Sequence, residues 1–490
     1  MLRSNLSLHR GASALLGALL VTGCATNPVS GKRELALVSE SQEIAMGRDG
    51  AAAVTAAIGL VPNATLQSYV NRIGQSLAAK TERPKLPWEF HVVDDASINA
   101  FALPGGFIFV TRGLLAHMTT EAELASVLGH ESGHVAARHS VQQMSREQVA
   151  MIGLGVGSVL SPAIAKYGQL AGAGLGLLFL KYSRGDETQS DQLGFRYALA
   201  DGYDTREMIS VFEMLQRAEQ LGGGGKLPEW QSTHPDPGSR ISNVQSMVAA
   251  TSQDWSTRRI GGDELLRQID GMVFGVNPRD GFFRGTLFLH PDLKFVLQFP
   301  AGWGTRNAAD VVAGISAAQD ALIELRGARG SAAEAANQFF GQQGLTAGMQ
   351  SRRVINGNPA VSAEFTAQSD QGVPVQGIGT FIEYGGTTWG IVTYAVATRF
   401  ASYRPEFLTS INSFNRLTDP SALAVQPMHL RIEEAPRAMS LAQFNALLPS
   451  GISLAQLALI NGVDEGVQLR AGQSIKRVIG VPVTPVGSRP

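Results

Sequence analysis

The sequence predicts an α+β protein made of several domains. Its 490 residues are enough for roughly three domains, and a 44% share of hydrophobic residues can supply large buried cores. A strongly patterned helix is predicted near residue 120, and β-prone runs separated by turn residues recur in the second half of the chain. The formal net charge of −1 gives no electrostatic case for binding nucleic acid.

The N-terminus has the pattern of a secretory signal. Two arginines precede Gly11–Val21, an apolar segment too short to span a bilayer as a helix. The segment leads into Val21-Thr22-Gly23-Cys24, which resembles a bacterial lipobox. Cys24 is the only cysteine, so it has no disulfide partner within one chain, and several acyl chains on it would anchor the protein stably. We expect residues 1–23 to be a lipoprotein signal peptide.

The residue after Cys24 bears on location. It is Ala25 rather than the aspartate that resembles an inner-membrane retention signal. We therefore expect a periplasmic protein that is lipid-anchored, through Cys24, to the outer membrane of a Gram-negative bacterium. On this hypothesis a Cys24→Ser form is released as soluble protein.

The stretch His130-Glu131-Ser132-Gly133-His134 carries the clearest chemistry. On a helix, residues four apart share a face, so His130 and His134 can present two imidazoles to one Zn²⁺. Glu131 then lies close enough to take a proton from a water that the zinc activates. Thr120 and Glu123 predict a capping box for this helix. The alternative is that both histidines are ordinary surface residues.

A third ligand has to come from another segment. His139 is nine residues beyond His130, about half a turn away at roughly 100° per residue, and is not expected to join the site. Glu187 and Asp191 are four apart, so one carboxylate can bind the metal while the other fixes the tautomer of a ligand imidazole. The alternative is that the two acids only solubilise the start of a helix.

These motifs together resemble a peptidase family. HESGH, followed by SRGDETQSDQLG and then Thr-His-Pro, is similar to the zinc endopeptidases related to CAAX prenyl proteases and HtpX, in their periplasmic lipoprotein branch. The resemblance covers roughly residues 27–250. It implies a mainly helical gluzincin-type domain at residues 24–270 with a small sheet. It also implies one Zn²⁺ per chain on His130, His134 and Glu187, with Asp191 behind them.

The same resemblance implies roles for two later residues. His234 would occupy or guard the fourth position on the metal, or steady the oxyanion, and Arg240 falls where relatives carry an arginine. A histidine before proline is otherwise a solvent-exposed turn residue. Relatives often have alanine where this chain has Ser190, a change that we do not expect to alter ligation.

Substrate binding is predicted at a strand edge. Trp88–Val93 and Phe107–Thr111 are β-prone, and Pro104-Gly105-Gly106 has turn chemistry. The family resemblance implies that Asn99, Ala100 and Phe101 lie near the active site, where an extended peptide could add as one more strand. A simple buried hairpin fits the same pattern.

Two apolar stretches, Val149–Leu160 and Ala163–Leu180, are marginal in length for membrane spans. We expect them to form helices packed against the peptidase body, because a lipid anchor already supplies attachment. Leu221-Gly222-Gly223-Gly224-Gly225-Lys226 is predicted to be a flexible loop before His234.

The remaining chain is predicted to contain binding modules. Residues 285–418 alternate strands and helices and weakly resemble PsbP-like α+β domains. Residues 427–480 read strand, helix, helix, strand and resemble a small βααβ LysM module, which implies peptidoglycan binding. Residues 481–490, with three prolines, are predicted to be disordered.

The family resemblance implies a zinc endopeptidase in envelope protein quality control. Its expected partners are unfolded or misassembled envelope proteins, the outer-membrane assembly machinery, peptidoglycan through residues 427–480, and the membrane through Cys24. Two alternatives stay open. One is an envelope assembly factor or chaperone with a gated metal site, and the other is a peptidoglycan-associated binding protein or amidase.

Overall fold

A computed structural model describes residues 24–153, 181–221, 234, 237–308, 310–369 and 372–482. Over these residues the chain combines helices with several β-sheets, which confirms the α+β prediction. The signal peptide, residues 154–180 of the apolar stretches, the glycine loop and residues 483–490 of the tail lie outside the described residues.

The described residues form two compact units. The first unit takes its residues from the ranges up to 55, 59–272 and 430–478. The second takes residues 56–58, 273–429 and those from 479 on. Residues 430–478 fall in the same compact unit as residues 59–272. The domain bounds 24–270, 285–418 and 427–480 therefore stay predictions.

The first unit is mainly helical before residue 272. Its helices span Glu40–Ile58, Ala64–Ala78, Arg112–His117, Glu121–Ala136, His139–Gly153, Arg184–Ala200, Glu207–Leu221, Pro237–Ala250 and Gly262–Ile269, with a 3₁₀ turn at Trp255–Thr257. Its strands span Cys24–Thr26, Arg33–Leu35, Glu89–Val93, Ala100–Leu103 and Phe107–Thr111. Among the residues that the structure describes, no helix combines the length and the apolar composition that crossing a membrane requires.

A small sheet lies beside the helices. Phe107–Thr111 is its middle strand, parallel to Glu89–Val93 on one side and antiparallel to Ala100–Leu103 on the other. Gly105 and Gly106, with φ of 78° and 109°, make the tight turn that joins the antiparallel pair. Ala100–Leu103 also packs against helix Glu121–Ala136, so the sheet lies next to the helix that carries the HESGH motif.

Residues 430–478 complete the first unit. Two strands, Met428–Glu434 and Met439–Ser440, are followed by the helices Leu441–Leu447 and Leu454–Ile460 and then by the strands Gln468–Leu469 and Ser474–Ile479. The Lys476 side chain is buried, and its Nζ donates hydrogen bonds to the carbonyls of Ala116 (3.0 Å) and Met118 (2.5 Å). Burial lowers the pKa of Lys476 to about 7. This segment therefore packs directly against the chain that leads into Glu121–Ala136.

The second unit is built on a large antiparallel sheet. Its strands span Gly304–Asn307, Val312–Ile315, Ala321–Ala328, Thr387–Val396, Pro374–Tyr384, Asn358–Gln368 and Leu345–Ala347 in spatial order, with Ser351–Ile355 also paired to Asn358–Gln368. A smaller sheet contains Phe282–Arg284, Leu287–His290, Phe295–Gln298 and Asn415–Arg416. The shorter elements of this unit are Val273–Phe274, Pro278–Asp280 and Pro420–Leu423.

Both faces of the large sheet are covered. Helix Phe400–Ser413 packs on one face, where Ile378 and Ile382 belong to its core. Helix Ala332–Phe340 packs on the other face against Phe381. Successive residues of a strand point to opposite faces of the sheet, so strand Pro374–Tyr384 supplies side chains to both cores.

Candidate metal centre

The motif helix, Glu121–Ala136, begins with the capping box that the sequence predicts. The Thr120 side chain accepts from the backbone N–H of Glu123, and the Glu123 side chain accepts from the backbone N–H of Thr120. These bonds satisfy donors that would otherwise be unpaired at the start of a helix. Every residue of this helix is buried, so both motif histidines lie inside the protein.

The carboxylate helix, Arg184–Ala200, crosses the motif helix at very short range. A Cβ atom on Gly194 would lie 2.6 Å from the backbone nitrogen of His130, and one on Gly129 would lie 3.0 Å from the carbonyl oxygen of Gly194. Only glycine permits this approach without a backbone shift. The close crossing brings Glu187 within reach of both motif histidines.

Four donor side chains converge between these helices: His130, His134, Glu187 and His234. Their candidate ligand atoms all lie within 4.8 Å of one another, and all four residues are buried. The Nε2 atoms of His130 and His134 are 3.0 Å apart, and Glu187 Oε1 is 3.4 Å from His134 Nε2. The Nδ1 atom of His234 is 2.9 Å from Glu187 Oε1 and 3.4 Å from His130 Nε2.

These spacings fit a tetrahedral zinc site. Zinc bonds of about 2.0–2.1 Å place neighbouring ligand atoms of a tetrahedron roughly 3.3 Å apart. Five of the six separations between these residues lie between 2.9 Å (His234 Nδ1 to Glu187 Oε1) and 3.6 Å (His130 Nε2 to Glu187 Oε2), and all six lie within 4.8 Å. Three imidazoles and one carboxylate are a donor set that suits zinc.

Glu131 lies beside the four donors. Both of its carboxylate oxygens are buried and accept no hydrogen bond from the described residues, and Oε1 is 3.7 Å from His234 Nε2. Burial raises the pKa of Glu131. A carboxylate without hydrogen-bond donors, next to a metal site, is suited to accepting a proton from water.

Asp191 and Arg240 lie behind the four clustered donors. Asp191 Oδ1 is 2.9 Å from His130 Nδ1, closer than Nη2 of Arg240 at 3.2 Å, which favours a proton on this nitrogen and an Nε2 lone pair that faces the other donors. The Arg240 guanidinium binds both oxygens of Asp191, at 2.6 and 2.8 Å, and Glu187 Oε2 at 3.0 Å. It also lies 4.3 Å from the ring centre of Phe212. Arg240 thus ties the two carboxylates of the carboxylate helix together.

The buried charged groups of the site change one another's pKa values. Burial opposes ionisation of Glu187, but the charge on His234 and the neighbouring His134 and His234 imidazoles outweigh it, so the pKa of Glu187 lies well below its usual value. Burial likewise disfavours the charged form of His234, yet Glu187 and Glu131 raise its pKa. Burial lowers the pKa of His134 well below its usual value. The carboxylate of Glu187 is therefore ionised and ready to bind a cation.

His139 is closer to the site than helical periodicity predicts. The motif helix ends at Ala136, and Arg138 has a φ of 59°, which turns the chain before the next helix starts at His139. As a result, His139 Nδ1 lies 3.0 Å from His134 Nδ1. His139 is not one of the four clustered donors, but it contacts one of them from behind. Extrapolation at 100° per residue fails because the helix does not continue.

Ion pairs of Glu43, which lies on helix Glu40–Ile58, hold the turn at Arg138. Glu43 accepts from Arg83 at 2.8 and 3.0 Å and from Nε of Arg138 at 2.9 Å, while Arg138 Nη2 donates to the carbonyl of Val38 at 2.8 Å. Glu43 and Arg83 are buried. A left-handed conformation at a residue with a side chain costs free energy, and these contacts offset it.

The predicted substrate strand packs beside the motif helix, and the predicted lipidation site lies at the start of a separate strand of the first unit. Asn99 precedes strand Ala100–Leu103, and its backbone exchanges hydrogen bonds with Thr111. The Asn99 side-chain oxygen is buried and accepts no hydrogen bond from described residues. The backbone of Cys24 starts strand Cys24–Thr26, which pairs with Arg33–Leu35. The roles of Asn99, Ala100, Phe101 and Cys24 stay predictions.

Comparison with known proteins identifies the region around the site. Residues 64–248 match the model of Peptidase family M48. The chain is 32% identical over 238 residues to the beta-barrel assembly-enhancing protease of Yersinia pestis, covering 45% of this chain and 48% of that protein. It is 31% identical over 233 residues to the mitochondrial metalloendopeptidase OMA1 of Schizosaccharomyces pombe, covering 45% of this chain and 65% of that protein.

The chain therefore spans less than two thirds of the length of these relatives. Among solved structures, it is similar to cyanobacterial PsbP from Synechocystis sp. PCC 6803, at 14% identity, 27% coverage of this chain, 93% coverage of that one and a TM-score of 0.23. A score this low carries no argument about the second unit. The family match contains all four clustered donors and Glu131. Residues 64–248 of this chain are thus a domain of peptidase family M48.

Proposed function

We propose that this protein is a zinc endopeptidase that cleaves misfolded or stalled proteins of the bacterial envelope. One observation carries the proposal: Glu131, without hydrogen-bond donors, lies beside four buried donor atoms whose spacing fits zinc. The family domain at residues 64–248 supports the reaction class. The relatives from Yersinia and Schizosaccharomyces are named a beta-barrel assembly-enhancing protease and a mitochondrial metalloendopeptidase, which supports the same reaction class.

The chain's own residues divide the work of peptide hydrolysis. His130, His134 and Glu187 would hold the zinc ion, and Asp191 and Arg240 keep His130 and Glu187 oriented. Zinc bound there would polarise a peptide carbonyl and lower the pKa of a water molecule toward neutrality. Glu131 accepts the proton from the attacking water and then delivers it to the leaving amine nitrogen. The raised pKa of Glu131 suits this double role.

His234 is proposed to hold the site closed at rest. Its Nδ1 occupies the fourth corner of the donor cluster, where a catalytic site needs room for water. Its Nε2 faces Glu131, the proton acceptor. In this closed state the protein would not cleave its folded neighbours. The same closed arrangement favours a second candidate function, an assembly factor or chaperone whose metal is structural.

Substrate is proposed to bind along Ala100–Leu103. This strand pairs with Phe107–Thr111 on one side and packs against the motif helix. An extended peptide could add to this strand through backbone hydrogen bonds. Anchoring through Cys24, an outer-membrane location, contact with the assembly machinery and peptidoglycan binding at residues 427–480 stay predictions from the sequence.

The test of the proposed function is Glu131→Gln. This variant should keep its bound zinc and its thermal unfolding temperature, and it should lose nearly all cleavage of an unfolded substrate such as reduced casein. Glu213→Gln, at an exposed position, is the matched control and should cleave normally. Normal turnover by Glu131→Gln would contradict the mechanism. Full rescue of envelope defects in a deletion strain by Glu131→Gln would favour the chaperone function instead.

A further inference from the structure

The two motif histidines have different partners behind them. Nδ1 of His130 faces a carboxylate, Asp191, which can only accept a proton. Nδ1 of His134 faces another imidazole, Nδ1 of His139, at 3.0 Å. An imidazole nitrogen can either donate or accept, so only one of these two nitrogens carries a proton. Which one carries it decides whether His134 can bind a metal.

The surroundings of His139 answer this question. Its Nε2 lies 2.9 Å from Oε1 of Gln189 and 3.8 Å from Oδ1 of Asp186, and both oxygens attract a donor. Nε2 of His139 therefore carries the proton, and its Nδ1 is the acceptor. The Ser190 hydroxyl, 3.3 Å from that Nδ1, can donate to it as well. Both Gln189 and Ser190 lie on the carboxylate helix.

We propose that His139, held by Gln189 and Ser190, is a positioning residue that fixes the tautomer of His134. His134 donates Nδ1–H to His139, and its Nε2 lone pair then faces His130 and Glu187. With the reverse arrangement, a proton on His134 Nε2 would point at His130 Nε2, 3.0 Å away, and exclude ligation. Tyr182 packs on the His134 ring at a centroid distance of 3.9 Å and keeps it in place.

The inference rests on the proposed zinc site and adds to it. The carboxylate helix would supply one ligand, Glu187, and would also set the hydrogen bonding of both motif histidines. Asp191 does so directly for His130. Gln189 and Ser190 do so through His139 for His134. Ser190 thus gains a role in this chain.

The first test measures zinc affinity of the full chain by competition with a chelator. His139→Phe keeps a ring but removes the acceptor, and it should weaken zinc binding about 10–100-fold. His139→Asn restores an acceptor near the Nδ1 position and should recover most of the loss. His91→Phe, on strand Glu89–Val93, is the matched control and should bind zinc like wild type. Unchanged affinity of His139→Phe would overturn the proposal.

The second test does not depend on zinc or on a folded His139→Phe. In metal-free wild-type protein with ¹⁵N-labelled imidazoles, the His134 signals should report a proton on Nδ1. Gln189→Leu and Ser190→Ala should both weaken that preference. The variant that weakens it more should also bind zinc more weakly. A proton on Nε2 of His134 would overturn the tautomer assignment. A wild-type protein that binds no zinc but shows Nδ1–H would refute the proposed function while supporting this inference.

Discussion

The Nδ1 atom of His234 lies 2.9 Å from Oε1 of Glu187, at the fourth corner of the donor cluster. A catalytic zinc site keeps that corner for water, so in the function proposed above this contact corresponds to the closed state. On that proposal His234 has to leave before water can enter, and the fraction of molecules in which it has left would set the activity.

Removing His234 should therefore activate the protein. We expect His234→Ala to cleave casein several-fold faster than wild type, because the competent state no longer competes with the closed one. Steady-state proteolysis with zinc content measured in parallel checks this. A loss of about 10²–10³ in kcat would instead show that His234 stabilises the transition state and does not act as a gate.

Arg240 should be essential for stability. Arg240→Met leaves Asp191 and Glu187 buried without their shared cation, and breaking a buried ion pair in this way costs about 3–5 kcal/mol. The free energy of unfolding in urea measures the loss. Arg404→Met is the control, because its pair with Glu364 is half-exposed and should contribute at most about 1 kcal/mol. Equal effects of the two variants would contradict the role given to Arg240.

The glycine crossing of the two ligand helices should not tolerate a methyl group. In Gly194→Ala the new Cβ meets the backbone of His130, so the helices must separate. Such overpacking costs about 1–3 kcal/mol, and zinc affinity should fall with it because Glu187 moves away from the histidines. Gly466→Ala adds a methyl group where no atom lies within 4 Å and serves as the control. Wild-type zinc affinity in Gly194→Ala would show that the crossing does not position the ligands.

Stability should depend on pH through Glu207. Burial and the nearby Glu123 and Asp204 raise the pKa of Glu207 to about 7 in the folded protein. The folded state then binds more protons than the unfolded state between about pH 4.3 and 7, so this contribution to stability is lost as pH rises through that window. We expect Glu207→Gln to flatten the fall in unfolding temperature between pH 5 and 8. Glu213→Gln, exposed on the same helix, should leave the fall unchanged.

Local patterns predicted much of the site. The capping box at Thr120 and the i, i+4 spacing of His130 and His134 depend only on neighbouring residues, and both are present in the structure. The Glu187–Asp191 pair was found in the same way, although their separate roles stay predictions. The strand–helix–helix–strand order after residue 427 also follows from local patterns.

What the sequence could not predict depends on distant contacts. The turn at Arg138, which returns His139 to the site, is held by Glu43 and Val38, about a hundred residues earlier. The Gly129–Gly194 contact and the burial of Lys476 likewise need the assembled fold. Strand Ala321–Ala328, in contrast, alternates buried and half-buried residues over its first six positions, a period of two that a local sequence pattern can reveal.

Anomalous scattering at the zinc edge from crystals of the purified full chain tests the central claim most directly. We predict a single strong zinc peak in the domain at residues 64–248, bonded to Nε2 of His130, Nε2 of His134 and the carboxylate of Glu187 at about 2.0–2.2 Å. A peak elsewhere, or no peak in a well-ordered site with zinc in the buffer, would contradict the account.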